Sequence, residues 1–412
     1  MSFRTGLIIL NIVVIGGLLG YIGWRVVSIR RNPERKAPQN LETFMGDEKL
    51  EGRRLERALG WSLIFAAILA AALPMYWLFE PTREATAKDA FLERSIERGA
   101  TLFANSQSPV YDSTKSLLCA NCHGEDAKGG SAPFVLQPES DFCLVEQNKN
   151  NAAVPECLPK QVSWAAPDLT LAPLRYDREE LTQIIAYGRP GTPMPAWGVI
   201  SGKGVLNEQG IDDLVNYLES VQTSPAKAQA AAAKAVTSYR SDAQALVDQK
   251  RQALTDAQAA LAKGRSDPAI TAGQLAVLQT AVTKAQADLD LATAEAAEAA
   301  TLTDGAVLFR LNCARCHTKG WSYHATEPAR ADLGALPPQG SGAYGPNLRS
   351  GSTLIQFPGL AGEQQQFDWV AVGVPPNNQY GVRGISSGRM PHFGQVLSDD
   401  QIKQIVAYER SL

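Results

Sequence analysis

Two long apolar runs dominate the hydropathy pattern of the chain. Gly6–Val27 carries one charge, Arg25, near its end, and Ala58–Phe79 carries none. Each is 22 residues long, enough to span a hydrocarbon core of about 30 Å as a helix rising about 1.5 Å per residue. Trp24, Trp61, Tyr76 and Trp77 sit near the run ends, where interfacial aromatics belong. A cleaved signal peptide is the alternative for the first run, but the run is long for that and lacks a clear small-x-small cleavage site. Between the runs, Arg25–Arg57 holds nine Arg/Lys against six Asp/Glu. An excess of cations marks the cytoplasmic loop. The pattern therefore predicts transmembrane helices within 1–30 and 58–80, a cytoplasmic loop at 31–57, and everything beyond residue 80 outside the cytoplasmic (inner) membrane.

A different pattern fills residues 224–300. Tyr239, Ala243, Leu246, Lys250, Ala253, Ala257 and Leu261 step by three or four, and the stepping resumes at Leu275, Leu278, Val282, Ala285, Leu289, Ala292 and Ala296. Such spacing predicts two amphipathic helices with a thin Ala/Leu seam. Gly264–Pro268 is the turn, with Asp267 expected as an N-cap before Pro268. The hairpin reads as a spacer or as a docking arm for another subunit.

The flanking segments, 93–223 and 301–412, are rich in Gly, Pro and aromatics, and they repeat one another. The first has Cys119-Ala-Asn-Cys122-His123, then Pro167, then Pro193-Met194-Pro195; the second has Cys313-Ala-Arg-Cys316-His317, then Pro346, then Arg389-Met390-Pro391. From His to Met is 71 residues in one and 73 in the other. Amphipathic helical patterns close both, with Tyr217 and Tyr408 near their ends. This is a duplication of one design.

Composition narrows the chemistry. Hydrophobic residues are 45%, charged residues 20%, and the net charge is −3, which excludes a disordered tail, a collagen-like chain and a basic nucleic-acid binder. With only six Cys, four His and five Met, every soft ligand can be inspected. C-x-x-C-H is the attachment signature of c-type haem. Two thiols three apart on a turn reach both vinyl groups of a porphyrin, and the adjacent His faces the iron. Zinc is the rival, using Cys119, Cys122, Cys143 and Cys157 in the first half. The second half has only two thiols and would need His317 with His324 or His392. A zinc reading also leaves the shared downstream pattern unexplained.

An iron held by one His needs a sixth ligand. Met1, Met45 and Met75 lie at the terminus, in the cytoplasmic loop and in a membrane run, so Met194 and Met390 remain, one per half. Pro167 and Pro346 suit a supporting role, since a ligating His usually gives its other N–H to a carbonyl. The candidate ligands are thus His123 with Met194 and His317 with Met390, on two covalently bound haem c groups held through Cys119, Cys122, Cys313 and Cys316.

These residues bring a resemblance. Each half resembles a class I cytochrome c domain, the second more closely through Gly305-x-x-Leu308-Phe309, Gly345-Pro-Asn-Leu348 and the run from Met390 to Leu412. The first half carries extra residues between Phe103 and Cys119 and an insert after His123. The whole is similar to membrane-anchored dihaem subunits of cytochrome bc complexes and of C-type haem-copper oxidases. The resemblance implies an all-α fold and an electron-transfer subunit rather than an enzyme in its own right. It implies respiratory-complex partners in the membrane and no nucleic acid or small-molecule substrate. A dihaem peroxidase, and a tether acting through the hairpin, are the alternatives.

The remaining candidates are lesser ones. His324 and His392 would serve a peroxidase as distal base or alternative ligand, but read more simply as surface or haem-edge residues. Arg189, Trp197, Tyr187 and Arg349 are candidates for haem carboxylates. Cys143 and Cys157 are left over by the haem reading and, outside the membrane, would pair as a disulfide. Closing that loop is worth about 3 kcal/mol on the chain-entropy view.

Overall fold

The computed structural model describes residues 3–31, 52–137, 158–328, 330–359, 361–373 and 390–412. It is 66% helix and 5% strand, so the chain is mainly helical and a small sheet is the departure. Two units emerge, Met1–Glu93 and Arg94–Leu412.

The first unit contains helix α1 (Phe3–Arg31) and the greater part of α2 (Arg53–Phe103). Among the described residues α2 alone is long and apolar enough to cross a membrane; the apolar stretch on α1 is shorter, Ile12–Ser28. Of the two expected spans, one therefore meets the physical requirement. Glycines at 16, 17, 20 and 23 add little apolar surface to α1. Residues 32–51 of the loop that carries the charge argument lie outside the described residues.

The second unit opens with the last turns of α2, where Ser95, Gly99 and Phe103 are buried. A single helical turn, α3 (Ala120–His123), follows. Strands β1 (Gly130–Leu136) and β2 (Lys160–Ala166) pair antiparallel from Gly130 opposite Ala166 to Leu136 opposite Lys160. This ribbon lies in the insert after His123, which an all-helical reading leaves unassigned. Pro133 is tolerated because both strands of a two-stranded ribbon are edges, and Phe134 stacks edge-on against Trp164 at 5.0 Å. Helices α4 (Arg178–Tyr187) and α5 (Glu208–Ser220) complete the first half. Asp177 and Glu180 form a capping box on α4.

The hairpin is α6 (Pro225–Ser266) and α7 (Ala272–Thr301). The second arm begins at Ala272, not Pro268. Thr271 and Gln274 form its capping box, while the Asp267 carboxylate accepts from Ala269 N at 2.9 Å within the turn. The buried seam on α6 is Val247, Leu254 and Leu261, a seven-residue repeat that shares Leu261 with the expected line and otherwise runs one residue beside it. At the base, Val236 joins the core of the last segment, with Ala232 and Tyr239 packed beside it.

That last segment consists of α8 (Asp304–Asn312), α9 (Ala314–His317), α10 (Trp321–His324), α11 (Ser352–Gln356), α12 (Gly362–Val372) and α13 (Asp399–Glu409). Val307, Leu308, Phe309, Leu397, Ile402 and Ile405 form its centre, each 0–1% exposed. The two halves repeat one helix crossing. A methyl group on Gly99 would meet Asp213 O at 2.0 Å, and one on Gly305 would meet Gln404 O at 2.1 Å. Four residues on, Phe103 packs on Tyr217 at 5.2 Å and Phe309 on Tyr408 at 5.4 Å. Glycine is thus what lets the first and last helices of each half touch. Leu174, Ala228 and Val396 meet in a small apolar cluster, where first half, hairpin base and second half join.

Candidate functional site: two attachment turns in one cavity

Both Cys-x-x-Cys-His motifs fold as one helical turn. His123 N donates to Cys119 O at 3.0 Å, and His317 N donates to Cys313 O at 3.0 Å. The i, i+3 spacing puts each thiol pair on one side of its turn. Gly124, at φ +77°, ends the first turn. Cys313 is both the C-cap of α8 and the N-cap of α9, so the second turn is fastened directly to the core.

The ring of each histidine is fixed from outside its turn. His123 Nδ1 lies 3.3 Å from Pro167 O, and His317 Nδ1 lies 2.9 Å from Pro346 O. A carbonyl only accepts, so Nδ1 carries the proton and Nε2 keeps its lone pair for a metal. Burial lowers the pKa of both imidazoles, against the opposing pull of those carbonyls. Both rings are thereby held neutral, as ligation requires. Gly345 makes room for the second ring, since a methyl group there would stand 2.6 Å from His317 Cε1. Nothing in its sequence neighbourhood announces that contact.

Met194 and Met390 line the same cavity as the histidines. Each loop rests on a helix-ending glycine. Gly188 closes α4 at φ +68° with Pro195 C 2.5 Å from where a methyl would stand; Gly373 closes α12 at φ +73° with Met390 O at 2.6 Å. The loop before Met194 is closed further by Arg189 N donating to Met194 O at 3.1 Å. Gly188 and Gly373 are site-shaping residues that the motif spacing does not reveal, because they act through backbone contact.

The two attachment turns open into one cavity of about 550 Å³. Cys119, Cys122, His123, Pro167 and Met194 line it together with Cys316, His317, Pro346 and Met390. Cys313 is buried in the core beside it. Burial pushes the Cys119 thiol up to about 12 and raises Cys122, Cys313 and Cys316 as well. Among the described residues no three His, Cys, Asp or Glu side chains converge to hold a metal ion. Apolar walls, a thiol pair beside a carbonyl-anchored imidazole in each half, and a thioether from each half are the donor set of covalent haem.

The lesser candidates divide. Arg189 and Trp197 line the cavity; Tyr187 packs on the first core; Arg349 donates to Gln339 O at 3.0 Å. His324 and His392 are not among the lining residues. Cys143 and Cys157 lie outside the described residues. All four described cysteines are free, and the expected disulfide has no support in the structure.

The halves also bond to each other directly. Arg315 Nη1 donates to Ala165 O at 2.6 Å, Thr326 Oγ1 to Ser163 O at 2.9 Å, Tyr344 Oη to Gly191 O at 2.9 Å, and Lys160 Nζ to Asp332 O at 2.7 Å.

Comparison with known proteins agrees with this geometry. Residues 96–222 match the family model described as Cytochrome c, and residues 300–408 match that described as Cytochrome C oxidase, cbb3-type, subunit III. No curated protein and no solved structure matches the chain. Cytochrome c domains imply covalently bound haem c and haem-based electron transfer. With one such domain on either side of its hairpin, the chain is a dihaem class I cytochrome c.

Proposed function

We propose that this cytochrome is a membrane-anchored electron relay in a respiratory complex, working on the outer face of the cytoplasmic membrane. The observation that carries the reading is the shared cavity, which brings the two attachment turns together rather than leaving them on separate surfaces. When bound, haem iron supplies a reversible one-electron couple. The protein's part is to hold and tune it. His123 and Met194 are assigned to one iron, and His317 and Met390 to the other. Pro167 and Pro346 fix the imidazoles, while the glycine-backed Met loops hold the thioethers without refolding.

The second domain's likeness to a cbb3-type oxidase subunit, together with the apolar length of α2, supports a respiratory membrane setting. A terminal oxidase or a quinol-oxidising cytochrome bc complex is the partner this reading assigns. The cationic loop 31–57 supports a two-pass anchor with both haem domains outside.

The test is haem stoichiometry followed by partner capture. Purified chain should carry two haems resistant to acid–acetone, and joint Cys119→Ala and Cys122→Ala should remove one while leaving the other's spectrum unchanged. A single haem in the unmutated protein contradicts the reading. Purification in mild detergent should bring down oxidase or bc subunits; release of the chain alone from membranes argues against the complex.

A further inference from the structure

The Met194 loop is closed mostly by bonds within itself. Thr192 N and Oγ1 donate to Arg189 O at 3.1 and 2.7 Å, and Met194 N donates to Thr192 Oγ1 at 3.2 Å. Pro190, Pro193 and Pro195 have no N–H to add. A thioether is neutral, so no charge draws it to an iron, and its hold depends on the loop being pre-organised. The second domain reaches this loop through Tyr344. Its hydroxyl donates to Gly191 O at 2.9 Å, and a methyl on Gly191 would stand 3.6 Å from its Cε1. Gly191 lies at φ +77°, so the ring rests on a turn that suits a residue without a side chain.

Tyr344 is itself firmly placed. Gly342 N donates to His317 O and Gly345 N to Cys316 O, both at 2.8 Å, and Pro346 O lies 2.9 Å from His317 Nδ1. The segment carrying Tyr344 is thus fastened on both sides to the second attachment turn. A continuous path runs from the imidazole of one domain to the thioether of the other, through His317, Pro346, Tyr344, Gly191 and Met194. The reverse contact exists too. His392 N, just past Met390, donates to Arg175 O at 3.2 Å, and Arg175 Nη2 donates to Asn312 Oδ1 at 3.1 Å. Each Met loop is braced from the opposite domain. The bond to the Met390 loop runs from main chain to main chain, whereas the bond to the Met194 loop passes through one hydroxyl.

We propose that Tyr344 is a positioning residue for the first domain's iron site, holding the Met194 loop closed from the second domain so that the thioether keeps its place at the iron. This rests on the reading of two haem-bearing domains with His/Met ligands. One hydrogen bond contributes only modestly to folding, but here it acts directly on the opening of a single loop. An external ligand reaches the iron only when that loop is open, so its apparent affinity rises in proportion to the open fraction. A ligand that competes with Met194 therefore reads the hydroxyl's contribution.

The experiment is an imidazole titration of the oxidised full-length dihaem protein, following loss of the weak sulfur-to-iron band near the red edge of the visible spectrum. Two phases are expected, one for each thioether. Met390→His replaces the second thioether and removes that domain's phase, which assigns both; where that variant does not fold, Met194→His removes the other phase and gives the same assignment. Tyr344→Phe deletes only the hydroxyl and keeps the ring. It should tighten apparent imidazole binding at the first domain's iron about threefold to tenfold, while the second domain's phase stays where it was. An unchanged first phase would overturn the proposal. An equal change in both phases would mark Tyr344 as a junction residue without a positioning role and overturn it too. A haem count below two, or no sulfur-to-iron band in the unmutated protein, would instead overturn the underlying reading, and both are measured before any variant is made.

Discussion

Glu409 shows how one buried side chain couples the second domain to pH. It is 5% exposed, and burial holds its pKa at about 7 rather than 4.5, against the hydrogen bond from Gln366. The native state thus binds this proton more tightly than the unfolded chain does. Its contribution to stability is complete below about pH 4.5 and is lost as pH rises to about 7, a change of about 3 kcal/mol. Glu409→Gln keeps an acceptor for Gln366 and has no charge to bury. Denaturant midpoints at pH 5 and pH 8 should therefore differ less in the variant than in the wild type. Equal differences would show that the carboxyl does not carry the effect. The residues that attach haem are readable in the sequence because their chemistry demands a fixed local spacing. Gly345, Gly188 and Arg175 are not, because each acts on a partner distant along the chain or through backbone that no residue type advertises.

At the scale of elements, the two helix crossings are the features most exposed to test. Gly→Ala in a helix interior gains about 1 kcal/mol in propensity, but at Gly305 the new methyl would stand 2.1 Å from the carbonyl oxygen of Gln404. Backbone on α13 cannot swing aside as a side chain can, and overpacking of this kind costs about 1–3 kcal/mol. The clash wins. Gly305→Ala should lower the thermal midpoint of the second domain, and Gly99→Ala that of the first, by about 4–8 °C per kcal/mol lost. An unchanged or raised midpoint would mean the crossing is looser than described. Helical periodicity and caps made most of these helices foreseeable, but two elements escaped. Asp267 resembles an N-cap, yet Thr271 offers a full capping box with Gln274 and takes the role. The β-ribbon was hidden because a segment containing Pro133 reads as irregular unless its partner strand is known.

At the scale of the whole chain, the hairpin has two mechanically distinct parts. Its base is core, since Val236 is buried with Phe309 and Ile405, and Ala228 is buried with Leu174 and Val396. Arg310, 5% exposed, bonds Tyr239 Oη at 3.3 Å and pairs with Glu298. Further out, the arms hold chiefly each other, through Val247, Ala292 and their neighbours, and the second arm also passes the Ala331–Leu333 turn of the second domain. Replacing residues 251–288 with a short glycine-rich turn should leave haem content and the thermal midpoint of the second domain unchanged. Val236→Ala, with the full hairpin present, should lower that midpoint through a cavity worth about 1–3 kcal/mol. Loss of haem on trimming the outer arms would show that they contribute to the domains after all.

The hydrogen bonds that join the two domains have one further consequence. In the bonds from Arg315, Thr326, Tyr344 and Lys160, the acceptor is a main-chain carbonyl: Ala165, Ser163, Gly191 and Asp332 respectively. Every amino acid has that carbonyl, so the accepting positions are blind to side-chain identity, while each donor is a particular side chain. Sequence drift should therefore be tolerated on the accepting side of each bond and resisted on the donating side. These four bonds are inherited through their donors, whereas the bond from Arg175 to the Asn312 side chain depends on both partners.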